Sequence, residues 1–578
     1  MNDSNPGLQE QTLATTADLR AQLRRRGKLK GRQPNALSLD EVRAQIGDAP
    51  PQGHRRDLLI EHLHRVNDAY GALRERHLVA LARLVNLPMA EVFEVASFYH
   101  HFDIVGDDDA VAATVVRVCD GLSCELAGAS ALFAGVQQRL HEAGVRVVKA
   151  PCLGRCEQAP AALVRQQAVP NADVDAVAAE VARPTPLAAP AGAIDMATYR
   201  SAGGYAVVQA LADGRRQQAQ VLTAMEASGL RGLGGAGFPA GRKWRIVRDQ
   251  PAPRLMAVNI DEGEPGTFKD RVYLERDPHR FLEGVLIAAQ VVGIDGVYIY
   301  LRDEYHAARG QLQQALRDLL ADPPCALPPI ELRRGAGAYI CGEESAMIES
   351  IEGKRGEPRM RPPYIAHVGL FGRPTLEHNF ETLYWVRDIV ERGASWFSDA
   401  GRHGRTGWRS FSVSGRVRRP GVKLAPAGIT ARELIDEHCG GMADGHTLYA
   451  YLPGGASGGI LPARLADVPL DFDTLQPHGS FIGSAAVIVL SEHDRARDAA
   501  LNMMRFFAHE SCGQCTPCRV GTAKAARLME APAWDQPLLD DLAQVMIDAS
   551  ICGLGQAAPN PMRSVGTFFS HEVDGAKR

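Results

Sequence analysis

The apolar positions in the first part of the chain follow two different periodicities. From residue 55 to about residue 102 they recur at helical spacing, which predicts a small bundle of helices. A β-branched stretch at 113–119, a helical stretch at 129–143 and a second strand-like stretch at 145–150 come next. This alternation predicts a compact α/β unit that follows the helices.

A change of composition separates this part from the next. Residues 183–192 contain three prolines and no periodicity, which predicts a semi-rigid linker and a domain boundary. Beyond the linker, apolar strands at 255–259 and 297–301 alternate with helical stretches, which predicts an α/β domain to about residue 405. The long apolar stretch 281–301 is interrupted by polar residues, so it predicts a buried helix and a strand rather than a membrane span.

The remainder of the chain predicts a small α+β unit and then helices. Strands at 411–417 and 447–452 surround a helix near 430–438, and a last apolar strand is expected at 481–490. Residues 491–494 resemble a capping box, which would begin an amphipathic helix at that point. The sequence after this helix is predicted to be helical as well.

Length and charge limit the classes of protein that the chain can form. With 578 residues it exceeds a single hydrophobic core, so several domains are expected. Its 64 Lys and Arg residues nearly balance its 68 Asp and Glu residues, which gives no overall attraction to nucleic acid or to an anionic membrane. The first residues lack the basic and apolar segments of a secretory signal, so a cytoplasmic protein is expected. The polar tail, residues 1–35, contains a basic run at 24–32 that is either solvated or binds an acidic partner surface.

Eight of the 11 cysteines form two groups, and the odd total in a chain without a secretory signal argues against a disulfide framework. In the second group, Cys512, Cys515 and Cys518 follow one another at two-residue gaps, and Cys552 comes later. Three closely spaced thiolates and a distant fourth are typical of a [4Fe–4S] cluster. A structural zinc site and unligated cysteines are the alternatives.

The first group is two pairs, Cys119 with Cys124 and Cys152 with Cys156. Each pair lies where a predicted strand runs into a loop, so two loops at one end of a sheet could hold two irons between them. This arrangement predicts a [2Fe–2S] cluster, and it also leaves a zinc site open.

A glycine-rich run at 229–244 is the strongest signal for a cofactor. Its segment 232–237 satisfies G-x-G-x-x-G, but a helix rather than a strand is predicted before it, so the usual dinucleotide fingerprint is doubtful. Glycines there would let the backbone approach a phosphate or an isoalloxazine ring, with Lys243 nearby as a cation. A mobile surface loop is the alternative.

Acidic residues follow two of the predicted strands. Asp261, Glu262 and Glu264 come directly after the strand at 255–259, where an open α/β sheet binds its ligands. Glu343 and Glu344 lie in a second stretch that combines carboxylates with glycines. Such carboxylates could bind ribose or adenine, although isolated carboxylate pairs are often solvated surface.

Together, four strings resemble the NADH-oxidising flavoprotein subunits of respiratory complex I, NAD-reducing hydrogenases and NAD-dependent formate dehydrogenases. The strings are Gly-Gly-Ala-Gly-Phe-Pro at 234–239, residues 261–270, residues 339–345 and Glu-Ser-Cys-Gly-Gln-Cys-Thr-Pro-Cys-Arg at 510–519. The first cysteine group resembles the family's thioredoxin-like [2Fe–2S] protein, here fused to the flavoprotein. The resemblance implies FMN, NAD, a [2Fe–2S] cluster and a [4Fe–4S] cluster. The cofactor-binding residues that it implies are Gly232, Gly234, Gly235, Gly237, Phe238, Lys243, Asn259, Asp261, Glu262, Glu264, Tyr339, Gly342, Glu343, Glu344 and Asn379.

The resemblance also implies a multidomain α/β and α+β architecture. Its expected parts are a polar tail (1–35), a helical bundle (36–110), a thioredoxin-like [2Fe–2S] domain (111–182), a Pro-rich linker (183–195), an FMN- and NAD-binding α/β domain (196–407), a ubiquitin-like domain of the SLBB type (408–490) and a helical [4Fe–4S] domain (491–578).

In function, the resemblance implies hydride exchange between FMN and NAD(H), with single electrons passed to the clusters. No catalytic acid or base is expected, because the flavin itself exchanges the hydride. In its length, in its fused [2Fe–2S] part and in the sequence of residues 452–459, the chain most resembles the β subunit of formate dehydrogenases. This resemblance implies a large partner subunit that contains molybdenum or tungsten. The diaphorase subunit of an NAD-reducing [NiFe] hydrogenase and a zinc-stabilised scaffold without catalysis are the alternatives.

Overall fold

The structure is a computed structural model that describes residues 31–141, 144–183, 190 and 192–574. Most of the predicted polar tail, its basic run as far as residue 30, and most of the Pro-rich linker lie outside the described residues. Arg32, at the end of the basic run, forms ion pairs with Glu75 and Asp107.

The N-terminal part is the predicted bundle of helices, and a short parallel β-ribbon ties it together. Apolar residues on facing sides, such as Val42, Leu63 and Val92, are fully buried in its core. The elements are α1 (Ala36–Ile46), α2 (Leu59–Tyr70), β1 (Leu73–Arg74), α3 (Glu75–Leu84), α4 (Met89–Phe98) and β2 (Ile104–Val105).

The next unit is a four-stranded sheet in the order β4-β3-β5-β6 with helices packed on it. β3 pairs in parallel with β4 and antiparallel with β5, so the ends of β3 and β4 meet at one edge. The elements are β3 (Thr114–Cys119), α5 (Leu122–Leu126), α6 (Ala129–Leu140), β4 (Val145–Ala150), β5 (Ala162–Val164), β6 (Gln167–Val169) and α7 (Val174–Ala182).

The third unit contains an all-parallel sheet in the order β10-β7-β8-β9, as expected for strands that alternate with helices. The predicted buried helix and strand at 281–301 are α13 and β8, and α13 is buried along most of its length. The elements are α8 (Met196–Ser201), α9 (Ala206–Ala212), α10 (Gln218–Ala227), α11 (Ala240–Arg248), β7 (Leu255–Ile260), α12 (Lys269–Arg276), α13 (Pro278–Val292), β8 (Gly296–Leu301), α14 (His306–Ala321), β9 (Ile330–Arg334), α15 (Glu344–Ile351), β10 (Thr375–Asn379), α16 (Phe380–Tyr384), α17 (Val386–Arg392) and α18 (Ala394–Ser398).

A mixed five-stranded sheet in the order β12-β11-β15-β13-β14, with one helix, forms the fourth unit. The predicted strand at 481–490 is wrong in its first half, because β15 begins only at Ala486. Gly483 and Ala485 have positive φ angles of 51° and 59°, so the backbone turns there and cannot continue a strand. The elements are β11 (Trp408–Gly415), β12 (Gly421–Pro426), α19 (Ala431–Glu433, continued as a π-helix over Leu434–His438), β13 (Leu448–Leu452), β14 (Leu461–Pro462) and β15 (Ala486–Ser491).

The C-terminal part is helical as predicted, but the proposed capping box at 491–494 is wrong. The Asp494 carboxylate accepts hydrogen bonds from the amide and hydroxyl of Ser491, which closes a turn, and the helix begins later at Ala496. The amides of Ala496 and Arg497 donate instead to the Glu572 carboxylate, at 3.2 and 2.9 Å. The helices are α20 (Ala496–Glu510), α21 (Thr516–Met529), α22 (Gln536–Ala549), α23 (Gly553–Ala557) and α24 (Asn560–Phe568).

The sequence predicts no membrane span. Within the described residues, no helix combines the length and the apolar character that crossing a bilayer requires.

Candidate functional site

The candidate site lies at the carboxyl end of the parallel sheet. β7 and β10 are neighbours in register, so Asn259 and Asn379 stand side by side near the ends of their strands. Asp261 follows directly after β7 and the amide nitrogen of Asp261 donates to Asn259 Oδ1 at 3.0 Å. Loops that follow parallel strands meet at one edge of the sheet, which is where such sheets bind ligands.

A cleft of about 480 Å³ opens at this edge. Four parts of the third unit contribute to its walls: the glycine-rich loop, the acidic loop after β7, the segment before α15 and the end of β10. All the cofactor-binding residues implied by the resemblance line this one cleft: Gly232, Gly234, Gly235, Gly237, Phe238, Lys243, Asn259, Asp261, Glu262, Glu264, Tyr339, Gly342, Glu343, Glu344 and Asn379.

The glycine-rich run forms a closed loop between two helices, α10 and α11, as the sequence indicated. Its ends pair as an antiparallel bridge, and Gly232 N donates to the carbonyl of Phe238 at 2.8 Å. A Cβ atom at position 234 would lie 3.0 Å from Cβ of Asn379, and Gly237 has a positive φ of 64°. The glycines therefore allow a close approach of backbone to the cleft that no larger residue permits.

Lys243 supplies the cation that the sequence placed beside this loop. Its ammonium group donates to the carbonyl oxygen of Glu377 at 2.9 Å and to a carboxylate oxygen of the same residue at 3.0 Å. Glu377 lies on β10 and also lines the cleft, but the sequence analysis missed it, because nothing local distinguishes it from a strand residue facing solvent.

The acidic loop is held by buried hydrogen bonds. The Glu262 carboxylate accepts from the amides of Asp270 and Arg271 at 2.8 and 3.1 Å and from the Tyr305 hydroxyl at 2.9 Å. Burial raises the pKa of Glu262 to about 8 in spite of these donors. Burial also raises the pKa of Asp261 well above its usual range, and one of the Asp261 carboxylate oxygens has no partner within the described residues.

A buried charge cluster lies at the base of the cleft. The Lys269 ammonium group contacts Asp270 at 2.8 Å and Glu381 at 2.9 Å, and all three side chains are almost fully buried. Asn379 donates to the second oxygen of Asp270 at 2.6 Å. Charged groups at this depth require such mutual pairing, which fixes the end of β10 against the acidic loop.

The outer part of the cleft carries the remaining predicted carboxylates. Glu264 accepts from the Tyr339 hydroxyl and from the amide of Ser457, the latter at 2.8 Å. Glu343 caps α15 by accepting from the amides of Ser345 and Ala346, both at 2.9 Å.

The two carboxylates at the cleft mouth share one cation. Arg361 forms ion pairs with both Glu343 and Glu344, and it is a second cleft residue that the sequence analysis missed. Its place in a loop without regular structure gave no signal in the sequence.

The first cysteine group comes together in one buried cluster. Cys119 ends β3, Cys152 follows β4, and all four side chains are at least 94% buried: Cys119, Cys124, Cys152 and Cys156. The sulfur atoms of Cys152 and Cys156 are 3.4 Å apart, and Cys119 contacts both Cys124 and Cys152. Convergent thiols at the ends of parallel strands fit a cluster of two irons.

The second cysteine group converges at the ends of two helices. Cys515 precedes α21 and Cys552 precedes α23. The half-buried thiols of Cys512 and Cys515 lie close to buried Cys518, and the half-buried thiol of Cys552 lies close to that of Cys512. A Cβ atom at position 555 would lie 2.9 Å from Cβ of Cys518, so the glycine allows the two loops to approach. This arrangement fits a four-iron cluster, which needs ligands from both segments.

The cleft lies between the two cysteine groups. Gly553, Leu554 and Ala557 of α23, directly after Cys552, form part of its wall. On the other side, Arg302 donates to the carbonyl oxygens of both Cys152 and Glu262. The cleft wall also includes Gly483 and Ser484, which belong to the mixed-sheet unit and, like α23, join the cleft only through tertiary packing.

Four family models match consecutive parts of the chain. They are a thioredoxin-like [2Fe–2S] ferredoxin at 43–183, the Nuo51 FMN-binding domain at 225–388, an SLBB domain at 410–461 and the NADH-ubiquinone oxidoreductase-F iron–sulfur binding region at 498–576. An NADH-quinone oxidoreductase subunit of Rhizobium meliloti is 40% identical over 392 residues, which cover 65% of this chain and 93% of that protein.

The chain belongs to the family of NADH-binding flavoprotein subunits.

Other members of this flavoprotein family align over different shares of the chain. The mitochondrial NADH dehydrogenase [ubiquinone] flavoprotein 1 of Dictyostelium discoideum is 41% identical over 373 residues, covering 61% of this chain and 78% of that protein. A chain of a solved NAD+-reducing [NiFe]-hydrogenase in the H2-reduced state is 33% identical with a TM-score of 0.78, and the match covers 90% of this chain and 93% of that chain. The hydrogenase chain therefore also matches the fused N-terminal part.

The cofactor set of this flavoprotein subunit follows from its domains. It has an FMN-binding domain, a [2Fe–2S] domain and a [4Fe–4S] region, and the relatives that it matches include an NADH dehydrogenase flavoprotein. The predicted cofactors and the multidomain fold are thus confirmed. The assignment of each glycine, carboxylate and cysteine to its cofactor stays a prediction, which the convergence of these residues in the fold supports.

Proposed function

We propose that the chain is the NAD(H)-reacting electron-transfer subunit, or diaphorase, of a larger oxidoreductase. One observation carries the proposal: a single cleft, lined by the glycine-rich and acidic loops, lies between two convergent cysteine groups. When bound, FMN exchanges a hydride with NAD(H) and single electrons with iron–sulfur clusters. The protein's part is to hold the cofactors next to one another and in a fixed orientation.

In this proposal the residues of the cleft divide into two sets. The deeper set holds FMN: the glycine-rich loop offers its backbone, Lys243 offers positive charge, and Asn259 and Asn379 offer amide groups. Lys243 is fixed by Glu377 and Asn379 by Asp270, so both side chains are oriented before a ligand binds.

The outer set binds NAD(H). Phe238 is 37% exposed at the cleft, so its ring is available for stacking. Arg242 lies 5.6 Å from the centre of the Phe238 ring. Glu264, Glu343 and Glu344 are the acceptors for ribose hydroxyls or amide groups. No acid or base is required among them, because the hydride passes directly between the two cofactors.

For the partner, we propose a large molybdenum- or tungsten-containing formate dehydrogenase subunit. The fused [2Fe–2S] domain and the string Leu-Pro-Gly-Gly-Ala-Ser-Gly-Gly at 452–459 support this choice. Gly454 and Ser457 of that string lie in the cleft wall, so the string belongs to the cofactor site.

A second candidate is the diaphorase subunit of an NAD-reducing [NiFe]-hydrogenase. The observation that favours it is the match of a hydrogenase chain along 90% of this chain, including the fused part. The two candidates share the chemistry of this subunit and differ only in the metal of the partner.

Two measurements test the proposal. The purified chain should be brown, release FMN on denaturation and reduce an artificial one-electron acceptor with NADH. A colourless protein that contains zinc in place of iron would contradict it. Metal analysis of the large subunit that co-purifies decides the partner, because molybdenum or tungsten supports the formate dehydrogenase and nickel supports the hydrogenase.

A further inference from the structure

A group of three metal-binding side chains lies outside the cofactor cleft and both cysteine groups. His509 and Glu510 are the last two residues of α20, and His100 lies just beyond the end of α4. The ligand atoms of the group, one from each residue, all lie within 4.8 Å of one another. The rings of His100 and His509 are stacked, with centroids 4.2 Å apart and planes inclined by 20°.

The electrostatic surroundings of this group favour a cation. The partial negative charge at the C-terminus of α20 lies at His509 and Glu510, where a cation is stabilised. Glu510 is only 4% exposed, and its Oε2 accepts a hydrogen bond from the amide of Tyr339 at 2.9 Å. Within the described part of the chain, no basic side chain forms an ion pair with Glu510. A buried carboxyl group of this kind is paired, bound to a metal or protonated.

Both imidazoles are open to solvent. The side chains of His100 and His509 are exposed, so a metal ion from solution can reach their ring nitrogens. A neighbouring cavity of about 180 Å³, lined by the three residues, has room for a water ligand. Four basic residues also line this cavity, of which Arg302 is paired with Glu304 at 2.8 Å and Arg146 is paired with Asp103; the other two are Arg117 and Lys149.

We propose that His100, His509 and Glu510 form a Zn²⁺ site that joins the N-terminal helices to the helix leading into the second cysteine group. Two imidazole nitrogens and one carboxylate oxygen are a common ligand set for Zn²⁺, with water in the fourth position. Glu510 precedes Ser511 and Cys512 in the chain, so a metal here would hold the start of that cysteine loop against the N-terminal part. The site is independent of the partner and of the proposed reaction.

Zinc binding to the full-length protein with its flavin and clusters tests the proposal. After dialysis against a chelator and equilibration with micromolar Zn²⁺, zinc and iron are counted in the same sample by mass spectrometry. We expect one zinc per chain in the wild type and at least about ten-fold weaker binding in His100→Gln and in His509→Gln. His493→Gln, which changes an exposed histidine elsewhere, is the matched control and should bind zinc normally.

X-ray absorption at the zinc edge provides a second measurement that does not depend on the variants. Nitrogen and oxygen ligands with imidazole scattering would support the site. Sulfur ligands, loss of iron on zinc addition, or equal zinc binding by the wild type and both histidine variants would overturn it. Absence of saturable zinc binding by the wild type would overturn it as well.

Discussion

Arg302 donates a hydrogen bond from Nη2 to the carbonyl oxygen of Cys152 over 2.7 Å. The same guanidinium donates from Nη1 to the carbonyl oxygen of Glu262 and pairs with the Glu304 carboxylate. A single buried side chain therefore connects the backbone of the first cysteine group with the acidic loop of the cleft. Because its position is fixed from both sides, we expect a change at either cofactor site to affect the other through this residue.

Replacing Arg302 with alanine should weaken both sites together. The substitution leaves two buried carbonyl groups and the Glu304 carboxylate without their donor, and breaking a buried ion pair costs about 3–5 kcal/mol. We expect a lower unfolding temperature, less bound FMN and a broadened [2Fe–2S] signal in electron paramagnetic resonance. The control is Arg418→Ala, since the ion pair of Arg418 with Asp444 is exposed and contributes at most about 1 kcal/mol. Loss of only one cofactor in Arg302→Ala would argue against the coupling.

Gly237→Ala should reduce the amount of FMN that co-purifies with the protein. A Cβ atom at this position would lie 2.5 Å from the ring of Phe472, and a positive φ costs an alanine about 1–2 kcal/mol. The loop must therefore move away from Phe472, which displaces the glycine-rich wall of the cleft. Gly310→Ala is the matched control, because a Cβ atom there has no neighbour within 4 Å and alanine is favoured inside a helix such as α14. Equal flavin content in the two variants would show that the loop position does not matter.

Cys515→Ala should remove the [4Fe–4S] cluster and leave FMN in place. The alanine removes one ligand of the second group, whereas the walls of the cleft consist of other residues. Iron content and the low-temperature spectrum of the reduced protein measure the loss. Cys325→Ala, which changes a half-buried cysteine outside both groups, should keep the cluster. A four-iron signal that persists in Cys515→Ala would exclude Cys515 as a ligand.

His62→Leu should make the protein less sensitive to acid. His62 is 3% exposed, neither ring nitrogen has a hydrogen-bond partner among the described residues, and burial lowers its pKa to about 4. In the unfolded chain His62 binds a proton as the pH falls below about 6.5, whereas in the folded chain it stays neutral until about pH 4. The free energy of unfolding therefore decreases as the pH falls through this range. Between about pH 7.5 and pH 5 the loss amounts to about 2 kcal/mol.

Thermal unfolding of wild type and His62→Leu at these two pH values measures the difference. The leucine variant should lose less stability on acidification, because leucine has no proton to bind. His493→Leu, at an exposed position, should behave like the wild type. Parallel losses in the wild type and His62→Leu would mean that His62 does not titrate in this range.

Local patterns in the sequence predicted the units of the fold and the loops that form the cleft. The helices before and after the glycine-rich loop, the strand before Asp261 and the two cysteine groups each depend on residues that are close in sequence. Glu377 and Arg361 carried no such signal, and neither did Leu554, because they reach the cleft only when separate units pack together.

The two wrong predictions, the strand from 481 and the capping box at 491–494, both concern segments whose structure depends on distant parts of the chain. Residues 481–485 are apolar enough for a strand, but they form a turned segment, part of which lines the cleft. The start of α20 depends on Glu572, which is 76 residues away from Ala496 and cannot be seen in a local motif.

From the bond between Glu572 and the start of α20 we also expect an order of events during synthesis. The first cysteine group is complete once residue 156 and the following strands have left the ribosome, so its cluster can be inserted early. The helix that leads into the second group gains its N-terminal partner only when residue 572 has been made. Maturation of the two iron–sulfur centres should therefore be separated in time, with the second one delayed until residue 572 has been made.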